Sequence, residues 1–516
     1  MADSPSIACP DDAAAWALPA SLRKCLSFLV LLGFLLAGSL CAFVLGSSLR
    51  IEPDTWWHLK LGQDILSTGH WPGADSFSFS ARGTPWFDYE WLGDVALALG
   101  YRAAGLRGLE ILFWALSSAI MLLSYAYTTL RSGNSKAAFV ACLLLMPITS
   151  ICFTIRPQLL GYMFLLIVLI CLERFRQKRQ KTLWILPAIF LLWVNTHGSF
   201  SLGLAAVGLY FASGLVEFRR GGIRAERWTR AQRRQLGWAG LLSLAVLPLT
   251  PYGARLALFP VTVARSLPVN MANIREWRPT DFGLWEAKLM LALLLVYFAA
   301  QVALQLRFRL EEIVMLFAAV FLAFVHYRFM IFFGIVFAPT LAMVISRWAP
   351  RYDAARDKFI LNGALMLAIA AGLWTQIPSK SAMTKIVEDG YPVRAVDYLR
   401  QHPPAGAMFN AYGFGGYLVW TLGAAHPVFI DGRGDLYEKA GVFADYVRIM
   451  EIQPDMPRLL EKYKIQSCLI TPDAPLAAFL SAQADWKRVY QDGVSAVFVK
   501  TGGEAAVNNG SVGGGR

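Results

Sequence analysis

The segment Ile51-Glu-Pro-Asp-Thr-Trp-Trp-His-Leu-Lys60 sets two carboxylates, Glu52 and Asp54, immediately after a long apolar run. A carboxylate in that position suits one kind of chemistry. A hydroxyl that attacks a sugar carbon needs a base, and a leaving phosphate needs its charge neutralised. If the donor is a lipid phosphate, both needs meet at the plane of the lipid headgroups. His58 and Glu90 fall in the same loop as supporting groups. Cations recur at short polar breaks between later apolar runs: Arg156-Pro-Gln158, Asn195-Thr-His197-Gly198 and His326-Tyr-Arg328. Arginine offers a fork of donors that matches phosphate geometry, so Arg156, His197 and Arg328 are candidates for an anionic headgroup. Near the C-terminus, Asp431-Gly-Arg433 follows a strand-like run and is a candidate contact for acceptor or donor sugar. Plainer readings compete. Asp54 can be a helix cap, hairpin tips are wet and need no task for their charges, and Asp431 with Arg433 can be a paired structural turn.

The composition says what must position these groups. The chain has 516 residues, 56% hydrophobic and 16% charged, with a formal net charge of +13. A soluble domain is nearer a quarter charged. The apolar residues gather in blocks near 25–46, 109–130, 136–154, 158–173, 183–196, 199–217, 236–250, 287–306, 310–325, 329–346 and 359–377. Most have the length of a bilayer-crossing helix. The first is too long for a signal-peptide core and is read as retained. The seven cysteines show no CxxC and no Cys/His cluster, which points away from zinc and from a disulfide framework. Basic stretches at 174–181, 219–234, 307–309 and 347–358 fall on one side of an eleven-span topology, which makes that side cytoplasmic together with the N-terminus. The excess of Lys and Arg is then a matter of topology, and nucleic acid is not an expected partner.

Three regions face the other side: a first loop at 48–108, a loop at 251–286 and everything after about 378. In the first loop, Pro53 keeps Glu52 extended, and a short amphipathic helix over Thr55–Leu66 is expected, capped by Asp54 or Thr55. Its Trp56, Trp57, Leu59 and Ile65 are expected at the membrane interface. A second helix is expected over Tyr89–Gly100. The division that follows is a flexible cytoplasmic N-terminus (1–22), a transmembrane domain (23–377), a periplasmic α/β domain (378–500) and a disordered tail (501–516). In the α/β domain, strands are expected at Ala407–Asn410, Pro427–Ile430, Ser467–Thr471 and Ala496–Lys500, with helices at Val393–Gln401 and Met456–Lys464. Gly413, Gly415 and Gly416 do not make a nucleotide loop, and no P-loop lysine follows. Calcium at Asp431 and Asp435 lacks the spacing of a known loop.

The sequence resembles bacterial polytopic proteins of the GT-C glycosyltransferase superfamily, in the group that depends on undecaprenyl-phosphate sugars. The resemblance is carried by Glu52-Pro-Asp-Thr-Trp-Trp-His58, Pro85-Trp86, Glu90-Trp91, Arg156-Pro-Gln158, Trp193-Val-Asn-Thr-His-Gly198, Pro251-Tyr-Gly253, Gly415-Gly-Tyr-Leu-Val-Trp420 and Phe429-Ile-Asp-Gly-Arg433. It implies an α-helical polytopic membrane protein with two in-plane helices in its first outer loop, sited in the bacterial inner membrane. It also implies an inverting transfer from a polyprenyl-phosphate sugar to a glycan, lipid or protein acceptor. By the same resemblance, Asp54 acts as general base or, with Glu52, holds a divalent metal such as Mg or Mn; some members use no metal. Two other classes compete. One is a lipid or glycan transporter, which charges deep within the spans would favour. The other is a non-catalytic envelope assembly protein.

Overall fold

The computed structural model describes residues 19–45, 51–177, 180–404, 406–423 and 426–501. The expected tail and most of the expected flexible N-terminus lie outside the described residues. Each of the eleven apolar blocks coincides with a helix: Phe28–Leu45, Leu106–Ser132, Ser135–Thr149, Gln158–Arg176, Leu186–Val194, Phe200–Ser213, Arg230–Ala245, Trp285–Leu304, Leu310–Val325, Met330–Ile345 and Phe359–Gln376. Among the described residues six helical stretches are long and apolar enough to cross a membrane, and the chain is a multi-pass membrane protein. Arg230–Ala245 starts ahead of its apolar block, because Thr229 accepts the Gln232 N–H and sets the helix start there. Met330–Ile345 is the central helix, buried along nearly its whole length. It lies close against Ser135–Thr149, where Gly334 leaves no room for a Cβ beside Thr149.

The first loop is folded into the protein. Its first helix runs Pro53–Thr68, two residues earlier than expected. Proline fits the first helical position because its φ is already helical and its missing N–H is not needed there. Glu52 is therefore the cap residue, extended at φ −103° and ψ 163°, and its N–H donates to Thr55 Oγ1 at 3.2 Å. Gly69, at φ 70°, ends the helix in the left-handed region. Trp56, Trp57, Leu59 and Ile65 are buried in protein, not set at a lipid interface. The reason is the C-terminal segment: Trp56 meets Tyr391 and Tyr417 edge-on, with centroids 5.4 and 5.1 Å apart. The second helix, Trp91–Ala104, begins later than expected. Asp88 Oδ1 accepts the Glu90 N–H at 3.0 Å, and this side-chain turn holds Glu90 outside the helix.

After Phe359–Gln376 the chain forms a small α/β unit. Its sheet has the order Ala407–Asn410, Ile465–Ile470, Ala496–Lys500, Trp486–Gln491; the first pair is parallel and the others antiparallel. The helices Val393–Gln401 and Met456–Lys462 stand where periodicity places them. The run Pro427–Ile430 is not a strand of this sheet. Asn410 Oδ1 takes the Phe429 N–H at 2.8 Å, and Val428 pairs with the first loop: its N–H donates to Phe77 O and its carbonyl accepts from Phe79 N–H, both at 3.0 Å. The strand Trp486–Gln491 was not expected, because its exposed Lys487 and Arg488 hide any alternation.

Asp431 and Arg433 serve this docking. Both are buried, at 0% and 2% exposure. Arg433 donates Nε and Nη2 to the two Asp431 oxygens, at 2.9 and 2.6 Å, and reaches Asp75 of the first loop at 2.7 Å. Removing one partner from a buried ion pair strands the other charge. Arg433→Ala is therefore expected to destabilise the protein by about 3–5 kcal/mol, seen as a large fall in Tm of the purified protein. An unchanged Tm would contradict the structural role.

Candidate functional site

Three separate pieces of chain converge on Arg156. The hairpin that carries it is shaped by Gln158, whose Nε2 donates to Cys152 O and Thr154 Oγ1 at 3.0 and 3.2 Å. Thr55 Oγ1 donates to Ile155 O at 2.9 Å and fastens the hairpin to the first in-plane helix. Arg156 Nη1 then lies 3.0 Å from both Glu52 Oε2 and Asp54 Oδ2, and Nη2 donates to Glu276 Oε1 at 3.1 Å. Asp54 Oδ1 accepts from Trp57 Nε1 at 3.1 Å. The backbone of Gly432 presses on the same carboxylate, and a Cβ there would overlap Asp54 Oδ1 and Trp57 Nε1.

Beside this group, Glu90 sits between two imidazoles, with Oε1 3.3 Å from His197 Nε2 and Oε2 3.5 Å from His58 Nε2. The His197 hairpin is tied to the first loop through Asn195, which accepts from Trp91 Nε1 at 2.8 Å and from Leu92 N–H at 3.0 Å. Arg328 comes from a third break. The turn that carries it is fixed by His326 Nδ1 on Trp277 O at 2.6 Å and by Tyr327 N–H on Arg278 O at 2.9 Å. Its guanidinium lies 4.1 Å over the Trp277 ring. Among the described residues no carboxylate pairs with it.

Glu52, Asp54, His58, Glu90, Arg156, His197 and Arg328 line one cavity of about 1090 Å³. Asp431 and Arg433 do not line it. Gly432, Gly434 and Asp435 from the same turn do. The other wall is apolar and includes Phe43, Pro147, Ile151, Leu165, Leu322 and Phe332 from the membrane helices. Burial sets the charge states. It pushes Asp54 up to about 6 even though Arg156 pulls the other way. It pushes Glu90 up to about 8, and lowers His197 to about 3, helped by Arg328 and Arg156. Burial also raises Glu276, but Arg156 and Arg328 outweigh it and hold that carboxyl below its usual range.

Glu276 and Asp94 belong to the same polar group and were not among the sequence candidates. Glu276 stands in an irregular outer loop, where periodicity gives no signal; Arg275-Glu-Trp277 as a charged, aromatic turn was the available clue. Asp94 reads as an exposed charge on an amphipathic helix, yet its Oδ1 is 2.6 Å from His58 Nδ1. As for a metal, no group of three or more His, Cys, Asp or Glu arranged to hold an ion is found among the described residues. Arg156 already occupies the space between the Glu52 and Asp54 carboxylates, so that pair, as arranged, does not fit Mg or Mn.

No family model and no curated protein matches the chain. Solved structures do. The apo structure of ArnT from Cupriavidus metallidurans superposes with a TM-score of 0.50 at 13% identity, over 90% of this chain and 97% of that one. The same organism's ArnT bound to undecaprenyl phosphate gives 0.48 at 14%, over 94% and 99%. An oligosaccharyltransferase from Archaeoglobus fulgidus, tethered with an acceptor peptide, gives 0.48 at 12%, over 81% of this chain; this chain spans 65% of that protein's length. The likeness to apo ArnT concerns the fold alone: membrane helices followed by a small C-terminal α/β unit.

The contact of Gly432 with Asp54 yields a test of the packing. Gly432→Ala is expected to cost about 1–3 kcal/mol by overpacking. Gly493→Ala, with nothing near its Cβ, is expected to leave Tm unchanged. Equal Tm values for the two variants would contradict the close approach.

Proposed function

We propose that the protein is a membrane glycosyltransferase that moves a sugar from a polyprenyl-phosphate donor to an acceptor hydroxyl, with inversion at the sugar carbon. The observation that carries this reading is the cavity itself. One wall is built from membrane helices and is apolar, and the other gathers acids and arginines. Such a space suits a molecule with a long hydrocarbon tail, a phosphate and a sugar. Arg328 is the phosphate ligand in this reading, because it lines the cavity with no carboxylate at contact distance among the described residues and is held in place by the Trp277 ring. Arg156 is balanced by three acids and positions them. Asp54 is the general base: its Oδ2 is bound by Arg156, its Oδ1 by Trp57, and it lines the cavity.

The fold it shares with apo ArnT is compatible with this assignment and does not name the sugar or the acceptor. The proposal also sets the cavity on the extracytoplasmic side of a bacterial inner membrane. It is supported by the basic strand Phe218–Arg220 and the arginines that open Arg230–Ala245, which lie at the opposite ends of the helices, where positive charge is retained in the cytoplasm.

A carboxylate base works only when ionised. Asp54 is pushed up to about 6, so transfer is expected to rise with pH through about 6 and to be lost progressively below it. Proteoliposomes given a panel of polyprenyl-phosphate sugars provide the assay. Asp54→Asn is expected to lower kcat by about 10²–10⁴-fold while leaving the fold intact. Arg328→Gln is expected to raise KM for the donor, by the loss of about 1.5–3 kcal/mol of charged hydrogen bonding. Full activity in Asp54→Asn would overturn the assignment of the base.

A further inference from the structure

We propose that Glu90, His58, Asp94 and Asp88 form a proton relay that runs from the cavity wall into the protein, with Glu90 at its cavity end. The direction of each link follows from hydrogen-bond partners. Ser199 N–H donates to His197 Nδ1 at 3.1 Å, so that nitrogen bears the lone pair and His197 Nε2 bears the proton. Asp94 Oδ1 lies 2.6 Å from His58 Nδ1; with the Asp94 acid proton on Oδ2, Oδ1 is the bare acceptor oxygen, which puts the His58 proton on Nδ1 and its lone pair on Nε2. Glu90 thus faces one donor and one acceptor. A carboxylate answers only the donor, whereas a carboxylic acid, with one bare oxygen and one O–H, answers both. The Glu90 contacts of 3.3 and 3.5 Å are long. A side-chain rotation of about half an ångström closes either, as is common for catalytic contacts before a substrate is bound.

Beyond His58 the chain of groups continues. Asp88 Oδ2 and Asp94 Oδ2 are both buried, with no hydrogen-bond partner among the described residues. Each of these two carboxyls perturbs the ionisation of the other, and neighbouring carboxyls hold a proton between them. At rest Glu90 is an acid, Asp94 is an acid that donates through Oδ2, and Asp88 is a carboxylate. When the Glu90 proton passes to His58 Nε2, the Nδ1 proton passes to Asp94 Oδ1 and the Oδ2 proton passes to Asp88. The imidazole ends neutral in its other tautomer, and one negative charge has moved from Asp88 to Glu90. The charge states agree. Burial raises Glu90 to about 8, Asp88 to about 7 and Asp94 well above its usual range, so the neighbouring Asp88 and Asp94 hold one proton between them, and it lowers His58. Arg156, Arg328 and Asp54 are the other charges that act on Glu90. The use of the relay rests on the transfer reaction proposed above: the proton released into the cavity enters at Glu90 and is held on Asp88, and the same steps run in reverse return it to the cavity before the next transfer. The relay itself is independent of that reading.

The test therefore needs no substrate. The full chain, labelled with ¹⁵N-histidine and reconstituted in bilayers at pH 7, is expected to show neutral His58 protonated at Nδ1 and neutral His197 protonated at Nε2. His58→Gln and His197→Gln assign the signals. Infrared spectra of the same samples are expected to show a carboxylic acid C=O band that shifts in D₂O and is lost in Glu90→Gln. Asp94→Leu is expected to switch His58 to the Nε2–H form and to remove the Glu90 acid band. The same tautomer in both rings, a cationic His58, or a carboxyl region unchanged by Glu90→Gln would each overturn the relay. None of these needs the Asp94 variant to fold, and none bears on whether Asp54 is the base.

Discussion

Arg156 is the constraint on which the site depends. Glu52, Asp54 and Glu276 each direct a carboxylate oxygen at its guanidinium, at 3.0, 3.0 and 3.1 Å. Two like charges at 4 Å cost about 4 kcal/mol at the effective dielectric of a protein surface. Three carboxylates cannot therefore share this space without a cation among them. The planar guanidinium serves because it offers donors in several directions at once and stays charged when buried. The same interaction ties the first loop, the Arg156 hairpin and the 275–277 turn into one wall. Arg328, stacked on Trp277, faces the cavity with no acid paired to it among the described residues, and Arg275, over the Tyr327 ring, lines the same cavity.

Around that wall, small residues let backbones approach. Gly62 meets the Asp94 carbonyl, Gly416 meets the Pro53 carbonyl and Gly432 meets the Asp54 carboxylate. The first packs the two helices of the first loop together; the other two, with the buried Asp75–Arg433–Asp431 group, hold the C-terminal unit against that loop. The polar end of the cavity is thus held on two sides, while the apolar end is formed by the membrane helices. Preorganised donors and acids beside a low-dielectric wall are the arrangement that electrostatic catalysis requires.

Much of this was legible in the sequence, for identifiable reasons. The apolar runs announce the helices, because crossing a bilayer demands length and hydropathy that little else in a sequence imitates. Topology then places the breaks at 156, 197 and 328 on one side with Asp54, and these residues do line one cavity. Other features depend on tertiary contacts that leave no local pattern. The tryptophans of Pro53–Thr68 carry the same signal whether they face headgroups or Tyr391 and Tyr417. Pro427–Ile430 has the composition of a strand, but Asn410 and the first loop take its hydrogen bonds. Glu276 sits on a short turn with no periodicity to mark it, and Asp94 looks like any polar residue on an exposed helix face until His58 is seen against it.

The central claim is that the cavity receives a prenyl-linked phosphate at its polar end. The most direct measurement is a cryo-EM structure of the protein in nanodiscs with an added polyprenyl phosphate. The account predicts phosphate density in contact with Arg328, near Asp54, with the hydrocarbon running along Leu165 and Phe332. Lipid phosphate bound on another face of the protein, with this cavity holding none, would contradict it.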